Sequence, residues 1–199
     1  MIGFADGDLI ESTVSGVGFV SGLIGPSTEV SGDNRIADFS SRGANGGALD
    51  IIKPNVAAPG VSIIAAGGPT PYISIGGTSM ASPHVAGLYA LLKEAHPGWS
   101  AAMAKSAIMT SARQNLKKSV GEDPADPFDI GAGAIVPAGA FEPGLVYDAG
   151  FFDYLAFLCS EPKQAYLVDP GDCSFLSYIG YFTDPSDLNL ASIGVADLV

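Results

Sequence analysis

This chain of 199 residues is short of histidine, tryptophan, cysteine and positive charge, and each shortage closes off some chemistry. Two cysteines, Cys159 and Cys173, have no histidine at ligand spacing beside them, so no zinc site is expected. No other cofactor is expected either. Nine Lys and Arg stand against 21 Asp and Glu, for a net charge of −12. The imbalance is local: residues 1–120 carry eight acids and eight bases, whereas 121–199 carry thirteen acids against Lys163 alone. Nothing in such a distribution neutralises phosphates, which excludes nucleic acid as a partner. The acidic half reads as a well-solvated surface. No uninterrupted apolar run approaches the ~18 residues of a spanning helix. The opening Met1–Asp8 lacks a basic n-region and holds Asp6 and Asp8, so it is not a secretory signal. If the protein is secreted, its signal is expected upstream.

Glycine, proline and small apolar residues are plentiful. With 26 Gly, 14 Pro and 47% hydrophobic residues, the composition is that of a loop-rich globular chain of one domain or slightly more. Residues 1–30 alternate Gly, Ser and β-branched residues and read as short strands and loops. Val61–Ala65 is a compact apolar run of the kind found in buried parallel strands. Tyr72–Ile75 is a second short strand. From Ser79 to about Ala95 the pattern turns helical, with Val85, Leu88, Tyr89 and Leu92 on one apolar face. Ala81, Ala86, Gly87 and Ala90 keep the other faces small, so burial on most sides is expected. His96-Pro97-Gly98 ends this helix, and Ser100 caps a second one running to about Arg113. Residues 123–133 form a Pro/Gly loop, and Phe152–Cys159 reads as a short aromatic helix. The tail from Asp187 to Val195 alternates like a first strand of a further element. Helices following strands favour an α/β layered fold.

Gly76-Gly77-Thr78-Ser79-Met80-Ala81-Ser82-Pro83-His84-Val85-Ala86-Gly87 carries the chemistry. A serine stands where a glycine loop becomes an apolar helix. A helix start offers unpaired N–H groups and the positive end of the helix dipole. A hydroxyl there can attack a carbonyl while neighbouring amides stabilise the oxyanion. Gly76 and Gly77 give the loop freedom and leave room for a substrate. Thr78 is the expected cap. His84 lies five residues along the same helix and points well away from Ser79, so it reads as a packed, hydrogen-bonded core histidine rather than a general base. His96 reads as a helix-end residue interacting with the dipole.

Gly77 to Gly87 resembles the serine box of the subtilisin-like peptidases, the subtilases, roughly G-T-S-M-A-x-P-H-V-A-G. By that resemblance Ser79 is the catalytic nucleophile. Other landmarks follow in the order of the plant-type subgroup: Phe39–Gly43, Lys53-Pro54, Val56–Gly60, His96 to Ala112, Pro143–Asp148, Asp153–Cys159 and Asp187–Asn189. The resemblance covers roughly residues 35–195. Ala44, Asn55 and Gly76 stand where the family prefers Pro, Asp and Ser, and Ala134–Pro137 replaces a stretch usually read H-V-N-P.

The resemblance implies a partial doubly wound parallel sheet with flanking helices, ending in the first strand of a fibronectin-like β-sandwich. The implied division is 1–34, strands and loops of the catalytic domain or the end of an insertion; 35–160, the C-terminal half of the peptidase domain; 161–186, a linker; 187–199, the start of the sandwich. It implies a secreted serine endopeptidase acting on proteins or peptides. In a secreted protein Cys159 and Cys173 would close a short loop as a disulfide worth roughly 3 kcal/mol; otherwise they are two free thiols.

A Ser–His–Asp triad needs an imidazole to take the serine proton and a carboxylate to orient it. Subtilases bring Asp, His and Ser in that chain order. Nothing here resembles their D-[ST]-G or H-G-T-H motifs, nor the A-G-N context of their oxyanion-hole Asn; Asn34, Asn45 and Asn55 sit in other contexts. The expected partner is therefore the upstream half of the same catalytic domain. The alternative is a truncated, non-catalytic remnant. An α/β-hydrolase elbow is rejected, because Ala81 replaces the last glycine of G-x-S-x-G and both histidines come too early.

Overall fold

The computed structural model describes residues 34–68, 70–161, 167–181 and 184–194. The strands and loops expected over residues 1–30 lie outside them. The described elements run β1 (Ile63–Gly67), β2 (Thr70–Ile75), α1 (Thr78–Ala95), α2 (Ala101–Thr110), α3 (Pro127–Ile130), α4 (Pro137–Phe141), α5 (Phe151–Ser160) and α6 (Pro170–Tyr178), followed by a 3-10 turn at Pro185–Asp187.

The strands lie within two residues of where they are expected, but their partnership corrects the sequence reading. β1 pairs antiparallel with β2, Ile63 opposite Ile75 and Ala65 opposite Ile73, in the one sheet formed among the described residues. The reason is chain length. Only Gly68 and Pro69 separate the strands, whereas a parallel crossover needs about a dozen residues. The parallel pairings present are single bridges, Arg35 with Lys117 and Ala57 with Ala134. The hairpin is not buried: Ile64 is 58% exposed.

The Val85/Leu88/Tyr89/Leu92 face of α1 does meet the core, but it is the only face that does. Leu88 and Leu92 are the buried residues of its eighteen, and Ala86, Gly87 and Ala90 are exposed. The expectation of burial on most sides fails because α2 and α4 cover one side of α1 and no described element covers the rest. α2 behaves oppositely, with Ala102, Ala104, Ser106, Ala107, Ile108 and Met109 all buried. Ser100 caps it as expected, its hydroxyl accepting the Met103 amide at 3.0 Å. The helix ends at Thr110 rather than Arg113 because Arg113 turns to exchange two backbone bonds with Ala134, each 2.8 Å. Leu88, Leu92, Ala104, Ile108 and Ala140 form the main core, with Val85, Tyr89, Trp99 and Phe141 packed around it.

α5 matches the expected aromatic helix to within a residue at each end. The stretch expected as a linker contains α6, started by Asp169, whose carboxylate accepts the Gly171 amide, with Pro170 at the first helical position. Cys159 and Cys173 join α5 to α6 as a disulfide. The described part of the expected sandwich strand, residues 187–194, is not a strand: Asp187 closes the 3-10 turn and Leu188 packs against Ala102 and Ala149 in a second small core. Within the expected Pro/Gly loop, Asp126 caps the single turn of α3.

Candidate functional site

Ser79 is the second residue of α1 and is exposed. The helix cap differs from expectation. Gly77 holds the N-cap position without any side-chain bond, and Thr78 is already helical. This shift follows from extended backbone at Gly77, whose carbonyl accepts the amides of Met80 at 3.0 Å and Ala81 at 3.4 Å. The amides of Thr78 and Ser79 remain the open first-turn donors among the described residues. They are the donors that a helix start offers to an anion.

Two further stretches reach this elbow. Gly60 lies against Gly77 and accepts its amide at 2.8 Å. The Phe39 ring flanks Gly76, where a methyl would sit 3.7 Å from the ring. The segments around Phe39, Gly60 and Ser79, far apart in sequence, thus meet at one place. Phe39 is carried on a segment pinned by Arg42. Its guanidinium donates to Asp126 at 2.9 Å and to the buried carboxylate of Asp129, while Gly43 donates its amide to the Phe128 carbonyl at 3.0 Å. The Arg42 bond holds the Asp126 carboxyl below its ordinary range, and Asp126 with Asp129 holds the guanidinium charged.

Neither histidine serves Ser79. His84 is turned about 140° around the α1 axis from Ser79, and its Nδ1 lies 2.8 Å from the Met80 carbonyl on its own helix. It is exposed, which corrects the core reading; no described element packs over that side of α1. His96 caps the end of α1, its backbone amide bonded to Leu92 at 2.8 Å. Its ring stacks on Trp99 at 3.9 Å between centroids, and Nε2 lies 3.0 Å from the Phe141 carbonyl. Among the described residues, no cluster of three or more His, Cys, Asp or Glu could hold a metal ion, and no helix is long and apolar enough to cross a membrane.

Sequence reasoning missed Lys105, which lines a small cavity with Ser106, Tyr147 and Asn189. Burial, then the nearby Lys53 charge, pulls its amine below the ordinary lysine range. Its position three residues after the inward-facing Ala102 was the available signal, because i and i+3 share a helix face. The arrangement around Ser79 is an exposed hydroxyl beside open amides, with no hydrogen bond to an imidazole or carboxylate among the described residues.

The model of the Subtilase family matches residues 17–133. The curated proteins similar to the chain include three subtilisin-like proteases of Arabidopsis thaliana, SBT3.5, SBT1.7 and SBT3.3. The chain is 42% identical to SBT3.5 over 184 residues, covering 82% of this chain and 23% of that protein. It is 44% identical to SBT1.7 over 176 residues, covering 73% and 23% respectively, and 40% identical to SBT3.3 over 184 residues, again 82% and 23%. The chain thus spans about a quarter of the length of these relatives. With an α/β chain carrying Gly77–Gly87 at a helix start, and a family match over more than half its length, the chain belongs to the subtilase family, in its plant-type subgroup.

Proposed function

We propose that this chain is the nucleophile-bearing part of a subtilisin-like serine endopeptidase, with Ser79 as the attacking group. The observation that carries the reading is the Ser79 hydroxyl, exposed at the start of α1 beside the open amides of Thr78 and Ser79. In the complete centre, a histidine from an upstream segment takes the Ser79 proton as the hydroxyl adds to the scissile carbonyl. The amides of the first turn contribute to holding the oxyanion. Collapse of the tetrahedral adduct releases the amine, protonated by the same imidazole, and water then hydrolyses the acyl-Ser79 ester. The Asp, His and oxyanion-hole Asn come from upstream residues, in keeping with relatives more than four times the matched length.

In that setting residues 35–160 form the C-terminal half of the peptidase domain, whose doubly wound parallel sheet is built from upstream strands, with the antiparallel β1–β2 hairpin beside it and α1 among its flanking helices. Residues 161–186 connect to a β-sandwich begun at 187–199. The substrate is a protein or peptide, and the location is extracellular, where the Cys159–Cys173 disulfide persists. One observation favours a second reading, a non-catalytic remnant: both histidines of the chain are engaged elsewhere, on Met80 and on Phe141 with Trp99.

The test is hydrolysis of a fluorogenic peptide, with fluorophosphonate labelling of Ser79. The 199-residue chain alone is expected to show neither. A protein carrying this chain behind D-[ST]-G and H-G-T-H segments is expected to show both, and Ser79→Ala to abolish both. Turnover by the isolated chain that depends on Ser79 would overturn the division of the triad. An inert longer protein would favour the remnant.

A further inference from the structure

Gly77, two residues before Ser79, is held through both its main-chain groups. The Gly77 amide donates to the Gly60 carbonyl at 2.8 Å. The approach is close in the other direction too: a methyl on Gly60 would lie 2.9 Å from the Gly77 oxygen and 3.3 Å from the Ala81 Cβ. That Gly77 oxygen is the acceptor for Met80 and Ala81, so it fixes the first turn of α1. The Gly60 segment is braced in turn. Ala57 donates to Gly133 at 2.8 Å, Ile135 donates to Ala57 at 2.9 Å, and Ala134 exchanges bonds with Arg113 beyond. These backbones stack so closely that a methyl on Gly133 would fall 2.4 Å from the Arg113 oxygen, and one on Gly131 would fall 2.3 Å from the oxygens of Pro54 and Asn55.

We propose that Gly60 is a positioning residue for Ser79: its carbonyl and bare Cα set the Gly77 peptide, and through it the turn from which the Ser79 hydroxyl and the open amides project. The inference rests on Ser79 being the nucleophile, for which misplacement by an ångström costs about a hundredfold in rate. A side chain at Gly60 pushes the Gly77 oxygen away from Met80 and Ala81. The first turn frays, and its amides no longer converge on position 79.

Position 79 can be read without catalysis. Ser79→Cys puts a single free thiol at the elbow, because the native cysteines are joined to each other. Iodoacetamide alkylation across pH gives its pKa, expected below the ordinary value of about 8.5 for a thiol at a helix start. Gly60→Ala in that background is expected to return the pKa towards about 8.5 and to slow alkylation at neutral pH by roughly threefold or more. Gly87→Ala, with open space around it on the same helix, is expected to change neither. A merely structural role for Gly60 would lower the melting temperature and leave the native thiol's pKa in place. An ordinary thiol in Ser79→Cys, or an unmoved one in folded Gly60→Ala, overturns the proposal.

If Gly60→Ala does not fold, hydrogen exchange on the unaltered chain decides. A Gly77 amide as protected as that of Ala57 supports the brace, and one exchanging like an open loop amide overturns it. These readouts are independent of peptidase activity, so failure of the nucleophile reading is seen separately, as an inert protein with an intact thiol response.

Discussion

α1 and α2 are neighbouring helices of similar apolar character, yet they live in different surroundings. α2 buries six of its ten residues, on nearly every side, whereas α1 buries two of its eighteen. α1 is nearly as apolar: its exposed residues include Ala86, Gly87, Ala90 and Leu91. The difference lies in what each helix has to pack on. α2 is wrapped by α1, α4 and the segments around Tyr147 and Leu188, while α1 meets described elements along one stripe. Small apolar residues on an uncovered helix face mark a surface shaped for close contact. In this family member the surface fits the proposed upstream half, which would cover α1 and add strands beside β1 and β2.

The contrast can be broken most forcefully at the stripe itself. Leu92 is fully buried, and Leu92→Ala is expected to cost about 2–5 kcal/mol in a urea titration. Leu91, one residue earlier and 40% exposed, is expected to change stability by about 0.5 kcal/mol or less when made Ala. Equal costs would mean that α1 is covered on both sides in solution. The next effect belongs to the α5–α6 pair. With Cys159 and Cys173 separated by 14 residues, Cys159→Ser is expected to lower stability by roughly 3 kcal/mol, read by thermal unfolding under oxidising conditions.

A smaller effect has the opposite sign. Gly87 is helical with nothing near its missing Cβ, so Gly87→Ala is expected to stabilise the chain by about 0.5–1 kcal/mol. Destabilisation would reveal a partner pressed onto that face. The gentlest probe is pH. Arg42 lowers the Asp126 carboxyl below its ordinary value of 3.8, so this stabilisation is complete above 3.8 and fades as pH falls through the lower folded value. Arg42→Ala is expected to flatten stability below about pH 4, measured by acid titration of the circular dichroism signal.

Much of this was legible in residues taken singly or in short runs. The Ser100 cap, the Leu88/Leu92 stripe, the aromatic helix before Cys159 and the place of Ser79 all follow from local pattern. What escaped depends on partners. Val61–Ala65 looked like a buried parallel strand because composition reports apolarity, not direction; the two-residue connection at Gly68 and Pro69 held the answer. α6 was hidden in an expected linker although Asp169-Pro170 signals a helix start. Gly60 falls in the Val56–Gly60 landmark, but its contact with Gly77 could not be read there, since it runs between main-chain atoms and leaves no mark in side-chain spacing. His84 looked like core because its neighbours are small and apolar, a property shared by surfaces awaiting cover.

The stack of His96 on Trp99 has an optical consequence. Trp99 is the sole tryptophan of the chain, and it sits at the joint where α1 passes into α2. Emission excited near 295 nm therefore reports one address in the molecule, an indole lying on an imidazole and wedged against the main core. A fluorescence melt follows the undoing of that joint, while ellipticity follows all helices together. Any lag between the two curves would time the separation of α1 from α2, the helix packed beside it.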